Sequence, residues 1–316
     1  MDTENKEKLP LWLIVLNAFL IIAIIWLFFL IYGNIKSSNV VEAEQIKEVV
    51  VSPFFENIDI EAKSAYVLDI KNNKVLYSKN ESSQLPLASI TKLMTAVVAL
   101  DIVPGNSTVT IKPEFLYEYG DEGLLPEENW KLKDLLDFSL ITSSNDGSRA
   151  IASVIGSGLI DASDYNLGRR EFIDRMNQKA KDLGFPNMYF INETGLDVSS
   201  YQAGAYGTSE EVALLLGYII KNRPEIVELT KYDQKIISSE TTTHNINNTN
   251  NRIGNISNVI VSKTGYTNLA GGNLAIIFDV EIGRPIAIVV LGSSLNGRFD
   301  DVYKLAETTF NYIRSI

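Results

Sequence analysis

The chain has 316 residues, of which 46% are hydrophobic, enough for one large domain or two modest ones. Its formal net charge of −11, with no basic stripe, argues against a nucleic-acid partner. It has no cysteine and one histidine, His244, which excludes thiol nucleophiles, disulfides, thiolate zinc sites and multi-histidine metal sites.

The first element is apolar. Leu9 to Tyr32 is 24 residues long and carries no charged side chain. That length spans a hydrocarbon core of roughly 30 Å as a helix. Trp12 and Tyr32 sit near its ends, where interfacial aromatics belong. The run exceeds the apolar region of a cleaved signal peptide, and "GNIKSSNVVEAEQ" after it offers no convincing cleavage site. The expectation is a short tail over 1–8, an uncleaved transmembrane anchor over 9–32, a polar stalk over 33–57, and a globular domain over 58–316.

Within that domain "SAYVLDI" (64–70) and "KVLYS" (74–78) read as strands joined by a turn. "SITKLMTAVVALDIV" (89–103) reads as an amphipathic helix, and "VTI" (109–111) as a short strand. "KLKDLLDFSLITSS" (131–144), "NDGSRAIASVIG" (145–156) and "RREFIDRMNQKAKDLG" (169–184) have helical spacing. "TSEEVALLLGYIIKN" (208–222) opens on Thr208 and Glu211, a capping box. "NINNTNNRIGN" (245–255) is asparagine-rich and reads as a surface loop. Three strands follow at 258–266, 272–280 and 285–293, and a helix closes the chain at 300–316. Strands at both ends with helices between predict an α/β (α+β) fold: one antiparallel sheet from the two chain ends, flanked by helices, with a mostly helical insertion.

Three short stretches could carry chemistry. In "LPLASITKLMTA", Ser89 and Lys92 stand at i and i+3, so they share a helix face. A serine there meets the free N–H groups of a first helical turn, which favour developing negative charge. Lys92 would act as its base, and must then be neutral, a state that burial and a second cation both favour. The same two residues also suit a helix cap and a solvated lysine. Ser143 and Asn145, in "SSN", could point a hydroxyl and an amide into a cleft, or merely separate two helices. Lys263, Thr264 and Gly265 interrupt an apolar strand, where they could bind a carboxylate and admit a close backbone, or simply end the strand.

In that order, Ser-x-x-Lys, Ser-x-Asn and Lys-Thr-Gly form the signature set of penicillin-interacting serine enzymes. The chain resembles the low-molecular-mass penicillin-binding proteins of the serine D-Ala-D-Ala carboxypeptidase type (peptidase family S11-like). "LDIKNNKVLYSKNESSQLPLASITKLMTA", "LLDFSLITSSNDGSRAIA", "FIDRMNQKAKDLGFPNMYFINETGL" and "VSKTGYTNLAGGNLA" all resemble blocks of that family, from about residue 60 to 300. The class A β-lactamases share the fold, but carry an aspartate where Ser144 stands, and their deacylating glutamate loop has no evident equivalent here.

The resemblance implies a β-lactamase/transpeptidase-like fold and an acyl-serine mechanism. Ser89 would be the nucleophile, Lys92 its base and Ser143 a proton relay. Asn145 would hydrogen-bond the peptide, and Lys263 and Thr264 would hold the terminal carboxylate. Gly265 would let the substrate backbone lie close, and the backbone N–H groups of Ser89 and Tyr266 would form the oxyanion hole. Arg298 matches a family arginine near the carboxylate, though a solvated arginine at a helix start reads as well. The family's histidine before Gly-Leu is Thr194 here, and no catalytic role falls to His244. The implied substrate is a peptidoglycan stem peptide ending in D-Ala-D-Ala, with β-lactams as covalent inhibitors and no cofactor or metal. The catalytic domain would face outward from a bacterial cell membrane. A D,D-endopeptidase acting on cross-links, a class A-like β-lactamase and a silent wall-binding scaffold are the alternatives.

Overall fold

The computed structural model describes residues 53–120 and 123–316, together with residues 23 and 25–27. The chain divides into two units, Met1–Gln45 and Ile46–Ile316. The expected tail, most of the anchor over 9–32 and residues 33–52 of the stalk lie outside the described residues. No helix among the described residues is long and apolar enough to cross a membrane.

In chain order the second unit contains strands β1 (Ser64–Asp69), β2 (Lys74–Lys79) and β3 (Leu85–Pro86). A 3-10 turn, Ala88–Thr91, leads into helix α1 (Lys92–Ile102). Then come β4 (Thr108–Thr110), β5 (Asn129–Lys131), α2 (Leu132–Thr142), α3 (Asn145–Ile160) and α4 (Tyr165–Asp182). β6 (Tyr189–Phe190), β7 (Ala205–Gly207) and α5 (Ser209–Asn222) follow. The chain ends through β8 (Gln234–Ser238), β9 (Thr243–Asn247), β10 (Val259–Thr267), β11 (Gly271–Asp279), β12 (Pro285–Ser293) and α6 (Gly297–Arg314).

The main sheet has five strands in the order β10-β11-β12-β1-β2, every neighbouring pair antiparallel. It is assembled from the two chain ends, as the element order implies. Alternation along its strands feeds two cores. Tyr66 and Leu68 of β1, with Ala287 and Val289 of β12, join the larger core with α1 to α5. Ala65 and Val67, with Ile286 and Ile288, face α6 through Phe299, Val302 and Leu305. Phe55, from the stretch read as stalk, is buried beside Tyr77 and Tyr312.

Three readings need correction. Helix α1 is not amphipathic: Lys92 through Leu100 are all buried, so it is the central helix of the domain. Ser89 lies in the 3-10 turn before it and not in the α-helix itself. The asparagine-rich stretch is not an exposed loop. Its first part is strand β9, and Asn248 and Asn250 beyond it are buried. Their amides donate to Thr230 O, Tyr232 O and Ser262 Oγ, so the polar side chains replace a backbone ladder. His244 belongs to the same hairpin. It packs against Trp130 and Phe138, with Nε2 2.8 Å from Glu128 Oε1.

Candidate active site

Ser89 is delivered by an unusual backbone. Ala88, fully buried, has φ +47°, the left-handed region that costs an alanine energy. That kink leaves Ser89 half-buried between buried neighbours, so its hydroxyl faces the cleft. The kink is clamped from outside. Gly195, itself at φ +82°, fits so tightly that a Cβ there would overlap Ala88 O and Thr91 Oγ1. Asn192 Oδ1 in turn accepts from the N–H groups of Thr194 and Gly195. These residues lie in "INETGL", the end of the family-like block that begins at Phe172, which did not by itself assign them this role.

Lys92 Nζ reaches three oxygens: Ser89 Oγ at 2.9 Å, Asn145 Oδ1 at 2.7 Å and Thr194 O at 3.0 Å. The side chain is buried, at 2% exposure. Thr194, at the family's histidine position, thus contributes its backbone carbonyl. The amide Oδ1 and the carbonyl can only accept, so they take N–H groups from the lysine. The serine hydroxyl can also donate, to the lone pair of a neutral amine.

Ser143 terminates α2 in the left-handed region, with φ +64°. Its Oγ accepts from Lys263 Nζ at 2.8 Å. Two residues on, Asn145 begins α3, and its Nδ2 donates to Tyr119 O at 2.6 Å. Between them Ser144 caps α3 by accepting from Gly147 N. The turn 143–145 therefore touches both lysines, Lys263 through Ser143 and Lys92 through Asn145.

Strand β10 forms the opposite wall. Lys263 and Thr264 are buried at 1% and 3% exposure. The hydroxyls of Thr264 and Thr249 lie 2.6 Å apart, a partner hidden in the asparagine-rich stretch. A Cβ on Gly265 would stand 3.1 Å from Ser89 N, so the strand backbone passes directly beside the serine N–H. Tyr266 is exposed. Arg298, on the first turn of α6, is not solvated: it is 93% buried and donates to Gly265 O at 2.7 Å. Its Nε has no partner, and among the described residues no carboxylate pairs with it. Burial pulls its guanidinium down from 12.5 to about 10, with Tyr266 acting in the opposite sense.

The nine residues singled out from sequence thus converge on one cleft between the 3-10 turn, the α2–α3 turn and β10. A family model described as D-alanyl-D-alanine carboxypeptidase matches residues 49–294. The chain belongs to that family of serine peptidases. A D-alanyl-D-alanine endopeptidase of Escherichia coli is 34% identical over 74% of this chain and 72% of its own length. A D-alanyl-D-alanine carboxypeptidase of Bacillus subtilis is 29% identical over 79% of this chain, which spans 62% of that enzyme. Among solved structures, a variant of a Streptomyces DD-transpeptidase has TM-score 0.72 at 23% identity, covering 80% of this chain and 99% of that one. An ampicillin-bound penicillin-binding protein of Listeria monocytogenes has TM-score 0.67 at 26% identity, again over 80% and 99%. The peptidase fold is therefore α+β and of the penicillin-binding/transpeptidase kind.

Proposed function

We propose that this peptidase removes the terminal D-alanine from peptidoglycan stem peptides ending in D-Ala-D-Ala, through an acyl-serine intermediate. The observation that carries the reading is the buried Lys92 amine, 2.9 Å from Ser89 Oγ, with a second lysine anchored on Ser143 across the cleft. Neutral Lys92 takes the Ser89 proton as Oγ attacks the penultimate carbonyl. The N–H groups of Ser89 and Tyr266 receive the oxyanion. Ser143, hydrogen-bonded to Lys263, passes its proton to the departing D-alanine amine and is reprotonated by the one that Lys92 took from Ser89, so both return to their starting states. Asn145 binds the peptide amide. Lys263, Thr264 and Arg298 hold the terminal carboxylate, which supplies the counter-ion that the buried guanidinium lacks. Water then releases the acyl group by the reverse sequence. The catalytic domain faces the cell wall, carried by an N-terminal membrane anchor over 9–32 with its short tail in the cytoplasm.

A fluorescent penicillin tests this directly. Wild type is labelled covalently and Ser89→Ala is not, while D-alanine release from a pentapeptide is lost in parallel. Absence of label on folded wild type overturns the reading. A second activity is favoured by the 34% identity to an endopeptidase: cleavage of D,D-cross-links by the same residues. Conversion of cross-linked muropeptide dimers to monomers separates the two.

A further inference from the structure

The asparagine-rich stretch takes no part in the reaction proposed above, yet the fold fixes it at many points. Asn248 N donates to Asp233 O at 2.7 Å, and Asn248 Nδ2 donates to Thr230 O and Tyr232 O at 2.8 and 3.0 Å. Asn248 Oδ1 accepts from Asn250 N at 2.9 Å, which closes a tight turn around residue 249. Asn250 Nδ2 then reaches Ser262 Oγ at 2.9 Å, on the strand that carries Lys263. Both asparagines are buried. The residue they flank is Thr249.

Thr249 touches both walls of the active site. Its N–H donates to Ile141 O at 3.1 Å, two residues before Ser143. Its Oγ1 lies 2.6 Å from Thr264 Oγ1, and among the described residues neither hydroxyl has another partner. Only one proton bridges two hydroxyls, so one oxygen gives and the other receives. A bound carboxylate settles the direction. It can only accept, so Thr264 must turn its own proton towards it. Thr264 Oγ1 then presents a lone pair to Thr249, and Thr249 is the donor. The reverse arrangement would aim Thr264 lone pairs at the negative charge. A chain from hydroxyl to hydroxyl to carboxylate is also cooperative, because each bond polarises the next.

We propose that Thr249 is a positioning residue for carboxylate recognition: its hydroxyl donates to Thr264 Oγ1 and so directs the Thr264 proton at the terminal carboxylate of the substrate. The inference rests on the carboxypeptidase reading above, which places that carboxylate at Thr264. No bond is made or broken at Thr249. Its effect is on the preference for a free C-terminal acid over a blocked one. The two buried asparagines keep the hydroxyl in place, which gives the asparagine-rich stretch its part in the site.

The test is the second-order rate of Ser89 acylation by a fluorescent penicillin and by its carboxylate methyl ester. Thr249→Val keeps the shape of the side chain and removes the hydroxyl. It should slow the free acid about tenfold, the order of one charge-assisted hydrogen bond, and leave the ester within about twofold. Thr249→Ser restores the donor and should return the acid to within about threefold of wild type. Support of the fold alone would slow acid and ester alike. Equal losses in Thr249→Val, or no loss with either, therefore overturn the inference. Thr249→Ala carries the same comparison where the valine variant does not fold. The carboxypeptidase reading fails in a different way: wild type that penicillin labels, but that releases no D-alanine from a pentapeptide, overturns that reading, and the acid-to-ester ratio still decides the role of Thr249.

Discussion

Gly265→Ala is the smallest change that tests how β10 serves Ser89. A methyl group at 265 would stand 3.0 Å from Leu87 O, 3.1 Å from Ala88 Cβ and 3.1 Å from Ser89 N. Ordinary contact begins at 3.4 Å, so the strand and the serine turn must separate by a few tenths of an ångström. Neither side yields easily. Gly265 is paired with Asn273 of β11, and Asn273 also holds Pro86 O at 2.9 Å and Gly292 N at 2.8 Å. Two of the neighbours at 265 are backbone atoms and the third is the Ala88 methyl, so none has a rotamer to escape into. Overpacking of this kind costs about 1–3 kcal/mol. Where the displacement spoils one oxyanion donor, the chemical step loses up to about 10²–10³. The second-order rate of acylation by a fluorescent penicillin should therefore fall between about 10- and 10²-fold. The thermal midpoint should drop by about 2–12 °C, at about 2–4 °C per kcal/mol for a domain of this size. Acylation within twofold of wild type, at an unchanged thermal midpoint, would refute the close approach of β10 to Ser89 as a catalytic requirement.

Two further changes probe the buried charges. Lys92→Met keeps the side-chain volume and removes the base, so penicillin acylation should fall about 10²–10⁴-fold in protein that still unfolds cooperatively; a near-normal rate would assign proton removal elsewhere. Asp137 of α2 is paired with Lys133 at 2.5 Å, but burial pushes its carboxyl up from 3.8 to about 6. Because the folded value is raised, the native state binds that proton more tightly than the unfolded chain, and stability is lost as pH rises from 3.8 through 6. Asp137→Asn should therefore stabilise the protein at pH 7.5, by at most about 3 kcal/mol, and change little near pH 4; thermal unfolding at the two pH values reads the difference.

Much of this site was legible because its chemistry interrupts local patterns. Lys263 and Thr264 stand in a run of Val and Ile, and Ser143 and Asn145 stand between two helical periods. The central strands of the main sheet were equally plain, since β11 and β12 are long and largely apolar on both faces, covered by a core on each side. What sequence could not supply was backbone sign and polar burial. Nothing in "LPLASITK" says that Ala88 turns left-handed, because alanine prefers the opposite and tertiary packing against Gly195 overrides it. Asn248 and Asn250 carry the composition of a loop, yet their amides are consumed by Thr230, Tyr232 and Ser262 inside the fold. The same blind spot concealed Thr249, whose partner Thr264 lies on another element. Arg298 opens α6 as a solvated residue would, and only the packing of that helix on the sheet shows it buried.

These missed features share a cause. Ala88 and Ser143 both sit at positive φ without being glycine, each at a cost of about 1–3 kcal/mol. Lys92, Lys263 and Arg298 are all withdrawn from water. Each of them violates a local rule, and each touches Ser89, Lys92 or Lys263, or the strand beside them. The surrounding fold, through Gly195, Asn192 and Asn273, must hold that arrangement before any substrate arrives. Arg298 shows what the cost achieves. Its guanidinium is pulled down to about 10 because burial outweighs the opposing effect of Tyr266, and among the described residues no carboxylate pairs with it. In the proposed reaction a peptide with a terminal carboxylate would supply a counter-charge, whereas an amidated peptide would leave the cation without one. On that proposal, discrimination against blocked C-termini would follow from an energetic deficit in the site before substrate binds, and not from contacts added to an already satisfied one.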